Sequence, residues 1–238
     1  MIAISQIQNR PTPSTRKDWS NTFTQNTQRW QQFAATLDFE TLHLAPTLIE
    51  SIKIFQLGEQ GEGRTLRALA KQHAQKYNDP TYLSAIQQFI KEEQRHAHYI
   101  AKALKANGIE PIEKQWSDGL FRKVRKLCGW EVMISVLLTA EVIAIAYYAA
   151  LAQASQNPQA KQLFERILQD ESVHLKFHGE SLSRIRSPRG SIKWNLHRLI
   201  LQAVASIVSY AQHNVLSHRF SGYRRFAHYC DTLLVNLI

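Results

Sequence analysis

Two short sequences, Glu93-Gln94-Arg95-His96 and Glu171-Ser172-Val173-His174, each place a carboxylate and an imidazole three residues apart. On a helix that spacing puts both groups on one face, about one turn apart, so they can approach a single metal ion together. Each pair is preceded by a lone glutamate: Glu59 stands 34 residues before Glu93, and Glu141 stands 30 before Glu171. Two copies of one helix pair would give such a repeat. Four carboxylates can bridge and charge-balance two divalent cations, and two imidazoles add borderline nitrogens suited to iron or manganese. Glu59, Glu93, His96, Glu141, Glu171 and His174 are therefore candidate ligands of a two-metal site, with Glu62, one turn from Glu59, as an alternative first ligand.

The surroundings of these residues support that reading. Glu93 lies in line with Ile86, Phe89 and Ile100, and Glu171 with Phe164, Ile167 and Leu182, so both carboxylates point where a core should be. A buried carboxylate is costly unless partnered, and a metal ion is one of the few partners that could satisfy four. Composition alone gives about half of one Glu-x-x-His pair in a chain of this make-up. A third pair, Glu40-Thr41-Leu42-His43, is read as accidental, because Pro46 follows closely and no long amphipathic stretch carries it. Tyr148, seven residues after Glu141, falls on the ligand face, where it would act in redox or hydrogen bonding or simply pack. His178, four residues after His174, is either a further ligand or proton donor, or a core histidine.

The elements that must position these groups read as helices, with no alternating apolar and polar run bounded by turns to argue for a sheet. A first helix is expected from Pro46 to about Tyr77, weakest at Gly58, Gly61 and Gly63, and stopped by Asn78-Asp79-Pro80. A second spans about Thr81 to Ala106, closed by Asn107-Gly108. A polar loop (109–119) and a short basic segment (122–126) lead to a third helix, Trp130 to Gln156. Asn157-Pro158 then starts a fourth, Pro158 to Ile185. Ser187-Pro188-Arg189-Gly190 breaks the chain before one or two further helices. The expected architecture is all-α and a single domain: a lead-in over 1–45, a four-helix core over 46–185 and a basic helical extension over 186–238.

Composition narrows the function classes. Apolar residues make up 44% of the chain and charged residues 20%, which suits a packed globular protein rather than a disordered one. Cys128 and Cys230 are far apart and outside any CxxC, so neither a disulfide framework nor a cysteine-rich metal site is written here, and a reducing cytoplasm is expected. Residues 1–20 lack the apolar core of a signal peptide and are expected to be a flexible lead-in. Two apolar stretches, Val132 to Ala154 and Leu199 to Ser217, are interrupted by polar groups and read as buried helices rather than membrane spans. The net charge of +10 is concentrated late: Ser181 to Ile238 holds eight Lys and Arg against the single acid Asp231. Such a field attracts anionic partners, an acidic carrier protein or an anionic membrane surface, with peripheral attachment as the consequence. RNA is a weaker fit, because only Tyr223 and Phe226 beside Arg224 and Arg225 suggest base stacking.

One glutamate from each of two helices and a Glu-x-x-His from each of two others is the ferritin-like di-metal pattern. The strings Gly58-Glu59-Gln60, Glu93-Gln94-Arg95-His96, Glu141 with Tyr148, and Asp170-Glu171-x-x-His174 resemble those of the aldehyde-deformylating oxygenases within that superfamily, over about Leu57 to Leu182. The resemblance implies two irons, dioxygen, an external electron-donor protein and a lipophilic, fatty acyl or aldehyde-like substrate. It implies the same six ligands and makes Asp170 an outer acceptor for a ligand histidine, a role with its own physical reason, since a ligating imidazole usually donates its second N–H to a carboxylate. The basic extension and the first-helix spacing depart from the family pattern. Two other function classes stand beside this one: iron handling or peroxide removal, and an RNA- or membrane-surface-binding protein on the same scaffold.

Overall fold

A computed structural model describes residues 18–60, 63–112, 129–185 and 192–237. Every regular element among them is helical. The polar loop after Ile112, the basic segment 122–126, the Ser187–Gly190 break, Glu62, Cys128 and the expected lead-in before Asp18 lie outside the described residues.

The chain opens with a helix that sequence reading assigned to the lead-in. α1 (Trp19–Ala34) is capped by the Asp18 carboxylate, which accepts the Asn21 N–H at 2.9 Å. Its buried residues Trp19, Phe23, Asn26 and Trp30 recur at intervals of four, three and four, a helical stripe hidden by the Gln, Asn and Thr between them. The expected first helix is in fact two. A 3-10 turn at Pro46–Leu48 leads into α2 (Ile49–Glu59), and α3 (Arg64–Tyr77) follows after a break. Gly63 sits at the break with φ 62°, and a Cβ there would stand 2.6 Å from Ile90 Cγ2, so only glycine fits.

α4 (Pro80–Ala106) starts as expected, with Pro80 in the first turn and the Asp79 side chain accepting the Tyr82 N–H. α5 (Trp130–Ala154) and α6 (Pro158–Ile185) form the most extensive pairing in the fold, an antiparallel hairpin whose short connection ends at Asn157. The Asn157 side chain accepts the Ala160 N–H and donates to the Thr41 carbonyl, which fixes both ends of the turn. α5 is long and apolar enough to cross a membrane, but 83% of its most apolar window is buried against the rest of the fold, as in a core helix.

α4 packs against α1, α2, α3 and α6. The pairings His96–Asp170 and His174–Glu92 require α4 and α6 to run antiparallel where they meet. Phe89, Phe164, Phe177, Ile86 and Leu138 fill the space around that contact and are essentially inaccessible. Each such side chain contributes about 1.5–3 kcal/mol by leaving water, which holds the helices against the cost of the polar groups they enclose.

The C-terminal part forms α7 (Ile192–Ala211), the short α8 (His213–Leu216) and α9 (Tyr223–Leu237), with α9 against α7. Leu199 to Ser217 departs from the buried-helix expectation. Trp194, Leu201 and Ala205 are buried, but Leu199, Ile200, Ile207 and Tyr210 face solvent, because α7 is apolar on both sides and has a packing partner on one. Cys230 is free and buried, and burial pushes its thiol up to about 12.

Candidate metal centre

Each of the six ligand candidates arrives from the expected helix. Glu59 is the last residue of α2, Glu93 and His96 lie in α4, Glu141 is mid-α5, and Glu171 and His174 are in α6. Their side chains meet as two overlapping sets, Glu59–Glu93–His96–Glu171 and Glu93–Glu141–Glu171–His174, and in each set four donor atoms lie within 4.8 Å of one another. Glu93 and Glu171 belong to both sets, the position of bridging carboxylates. These are buried groups that could hold metal ions. Glu40 and His43, the accidental pair, are both exposed and take no part.

The donor atoms fit an ion better than they fit each other. His96 Nδ1 stands 3.1 Å from Glu171 Oε1, and His174 Nδ1 stands 3.0 Å from Glu93 Oε1 and 3.8 Å from Glu141 Oε2. Two ligand atoms ~2.1 Å from one ion and ~90° apart would stand ~3 Å from each other. Despite this proximity, His96 Nδ1, His174 Nδ1, Glu93 Oε1 and Glu171 Oε1 are buried without a well-directed hydrogen bond. Buried polar atoms are rarely left so, and a metal ion held by each set could satisfy these four.

The opposite edge of each imidazole is committed. His96 Nε2 faces Asp170 Oδ2 at 3.1 Å, and His174 Nε2 faces Glu92 Oε2 at 2.9 Å. The acid from each helix holds the histidine of the other, which fixes the tautomer with a proton on Nε2 and the Nδ1 lone pair inward. Asp170 thus occupies the outer-acceptor position expected of it, and Glu92 is its counterpart, missed in sequence although Glu92-Glu93 echoes Asp170-Glu171. Asn26 of α1 joins the two, donating to Glu92 Oε2 at 2.9 Å and Asp170 Oδ1 at 2.7 Å. Arg95 lies 2.9 Å from Glu92 Oε1, and Arg166 lies 2.5 Å from Asp170 Oδ1, so each outer acid has its own cation. Both guanidinium groups sit over the Trp30 ring, at 5.2 and 5.4 Å from its centroid.

The charge bookkeeping is informative. The outer pair of acids is balanced by the two arginines, and four inner carboxylates remain, equal and opposite to two divalent cations. Without ions, protons must substitute. Burial, and then the charges of Glu93 and Glu171, hold Glu59 well above the ordinary carboxylate range; burial, then Glu171 and Glu93, do the same to Glu141. Burial alone would lower the histidines, but Asp170 and Glu171 outweigh it and raise His96 to about 10, while Glu171, Glu92 and Glu93 hold His174 well above its usual value. Burial would likewise raise Glu171, yet His174 and His96 keep it below the ordinary range.

Tyr148 is fully buried and donates its hydroxyl to Glu59 Oε1 at 2.6 Å, so it touches a ligand through a hydrogen bond. Tyr147 instead turns to Ser51, whose hydroxyl also meets Gln212 from the C-terminal part. His178 is buried with Nε2 3.7 Å from Glu141 Oε1; burial, then the nearby His174 charge, lowers it to about 3 and keeps it neutral. A polar surface depression is lined by Gln56, Gln60, Gln94, Ala97, His98 and Ala101, of which Gln60 and Gln94 follow Glu59 and Glu93 in sequence.

No protein-family model, curated protein or solved structure matches this chain.

Proposed function

We propose that the chain is a non-haem di-iron oxidoreductase on a ferritin-like four-helix bundle, activating dioxygen and acting on a lipophilic, fatty acyl or aldehyde-like substrate. The observation that carries the proposal is the convergence of four orphaned donor atoms from α4 and α6, with each ligand histidine fixed from behind by an acid of the opposite helix. Lone glutamates from α2 and α5 complete the donor set, in keeping with the ferritin-like distribution of ligands. The chemistry such a pair of ions would supply is binding and reduction of dioxygen, with electrons drawn from an external donor protein.

This chain's residues have separable tasks in that reading. Glu93 and Glu171 span the two positions, and Glu92 and Asp170 keep the imidazoles aimed inward. Arg95 and Arg166 neutralise the outer acids so that they remain acceptors. Tyr148 donates its O–H to Glu59, a position from which a proton can be delivered or a carboxylate steadied. Phe89 and Phe23 pack against the His174 ring and Trp30 against that of His96, apolar walls that exclude water around the set.

The lipophilic substrate rests on the family resemblance and on these apolar walls. A second reading, iron handling or peroxide removal, is favoured by one observation: the depression lined by Gln60 and Gln94, next in sequence to Glu59 and Glu93, has three glutamines and a histidine among its six lining residues, which suits a hydrated ion or peroxide better than an alkyl chain. Anaerobic loading with ferrous iron followed by oxygen separates the two. Oxygen uptake that rises with a long-chain aldehyde, and not with a short polar one, supports the oxygenase. Uptake indifferent to organic substrate, with rapid consumption of hydrogen peroxide, replaces it with the iron-handling reading.

A further inference from the structure

We infer that the outer face of α7 docks this protein on an anionic lipid surface. α7 carries two apolar stripes on opposite sides. One, including Trp194, Leu201 and Ala205, is buried in the fold. The other consists of Ile192, Leu196, Leu199, Ile200, Ile207 and Tyr210, all between 49% and 90% exposed. At 100° per residue these six fall within roughly a third of the helix circumference, and no charged residue interrupts them. Exposed large side chains aligned along a whole helix differ from the scattered apolar residues of an ordinary surface and mark an interaction site.

The surroundings of the stripe select the partner. From Ile192 to Cys230 the sequence contains no acidic residue. Lys193 and Arg198 are paired with Glu131 and Asp231, while Arg224 and Arg225 at the start of α9 are exposed. α9 packs against α7, so the helix beside the one that bears the apolar stripe carries this exposed cationic charge. Tyr210 at the end of α7 and Tyr223 at the start of α9 are exposed amphipathic rings, the side-chain type that suits the level of lipid headgroups. A helix lying in the plane of the interface needs this combination of apolar face, basic flank and interfacial aromatics.

A second copy of the chain fits less well. Two such faces would bring like charges together, since neither chain has an acid between Ile192 and Cys230 to offset Arg224 and Arg225. The inference does not depend on the metal centre, whose residues lie on other helices.

The test uses the full chain with vesicles of phosphatidylcholine alone and of phosphatidylcholine mixed with phosphatidylglycerol, read by co-sedimentation at low and moderate salt. Binding is expected to the mixed vesicles and to weaken with salt. Leu199→Gln with Ile207→Gln should reduce it about tenfold or more, and Arg224→Glu with Arg225→Glu should reduce it and remove its salt dependence. Both variants should retain helical content and metal content, since all four positions are exposed. Failure to bind either vesicle, or binding that survives both double variants, overturns the inference. Capture by an acidic protein that needs the arginines but not Leu199 and Ile207 overturns it in favour of a carrier. A lipid-free dimer abolished by Leu199→Gln with Ile207→Gln overturns it in favour of a second copy.

Discussion

The two halves of the candidate centre are alike in their histidines and unlike in their lone glutamates. In both, a Glu-x-x-His pair is preceded by an acid that holds the other half's imidazole, Glu92 for His174 and Asp170 for His96. Glu141, however, lies in the middle of a continuous helix of mostly buried residues, whereas Glu59 ends α2 before the break at Gly63, and its neighbour Gln60 lines the surface depression. The two carboxylates common to both sets repeat the contrast, with the Glu171 side chain 1% exposed and that of Glu93 21%. Symmetric histidines with asymmetric glutamates leave the first half of the candidate centre nearer to solvent than the second. The C-terminal end of α2 adds partial negative charge beside Glu59, which favours a cation arriving there.

The largest effect is expected where the halves overlap. Glu171→Ala removes a ligand common to both sets, so the protein should lose both ions, while Glu59→Ala and Glu141→Ala should each retain one. Metal content of the three purified variants checks this, and retention of two ions by Glu171→Ala would break the shared-bridge geometry.

A smaller effect is expected behind the histidines. Glu92→Gln should weaken the ion bound through His174, and Asp170→Asn that bound through His96, each by about 10–100-fold. Competitive titration against a chelator would measure it. Equal loss from both positions in either variant would mean that the outer network acts as one unit through Asn26, rather than as two halves.

The smallest effect is a pH dependence confined to the metal-free protein. Glu59 and Glu141 have folded values raised above the ordinary 4.5, so the fold favours their protonated forms and loses that advantage as pH rises past 4.5. His96 contributes stability that is complete below 6.5 and is lost as pH rises through about 10, and His174 has the same sign. Glu171, lowered, contributes in the opposite sense, but its contribution is established above 4.5 and lost only as pH falls through its folded value. Thermal unfolding in chelator should therefore fall in midpoint from pH ~5 to ~10, and metal loading should flatten the curve. Parallel curves with and without metal would contradict the exchange of protons for ions.

Much of this centre was legible because helical periodicity is a local property. Glu93 and His96, or Glu171 and His174, share a face by spacing alone, and α4 and α6 have proline or asparagine signals at their starts. Glu92 was readable in principle as the echo of Asp170 in a repeated acid-Glu-x-x-His string. Asn26 was not, because its role depends on α1 crossing α4 and α6, a long-range packing that no local pattern encodes. α1 itself was obscured by its polar composition, with Trp19, Phe23, Trp30 and the half-buried Phe33 the large apolar residues marking its packed side. The glycines near residue 60 announced a weak point, but whether the helix bent or ended there was decided by Gly63 lying against Ile90. On α7 the apolar residues were visible, and which of them had a neighbour was not.

Whether one six-residue donor set holds two ions is read by counting metal in the wild-type protein after anaerobic loading with ferrous iron and removal of loosely bound ions. Two ions per chain are expected, with protons released from Glu59, Glu141, His96 and His174 as they enter. Fewer than one ion per chain would contradict the account and leave the buried carboxylates and histidines as a hydrogen-bonded structural network.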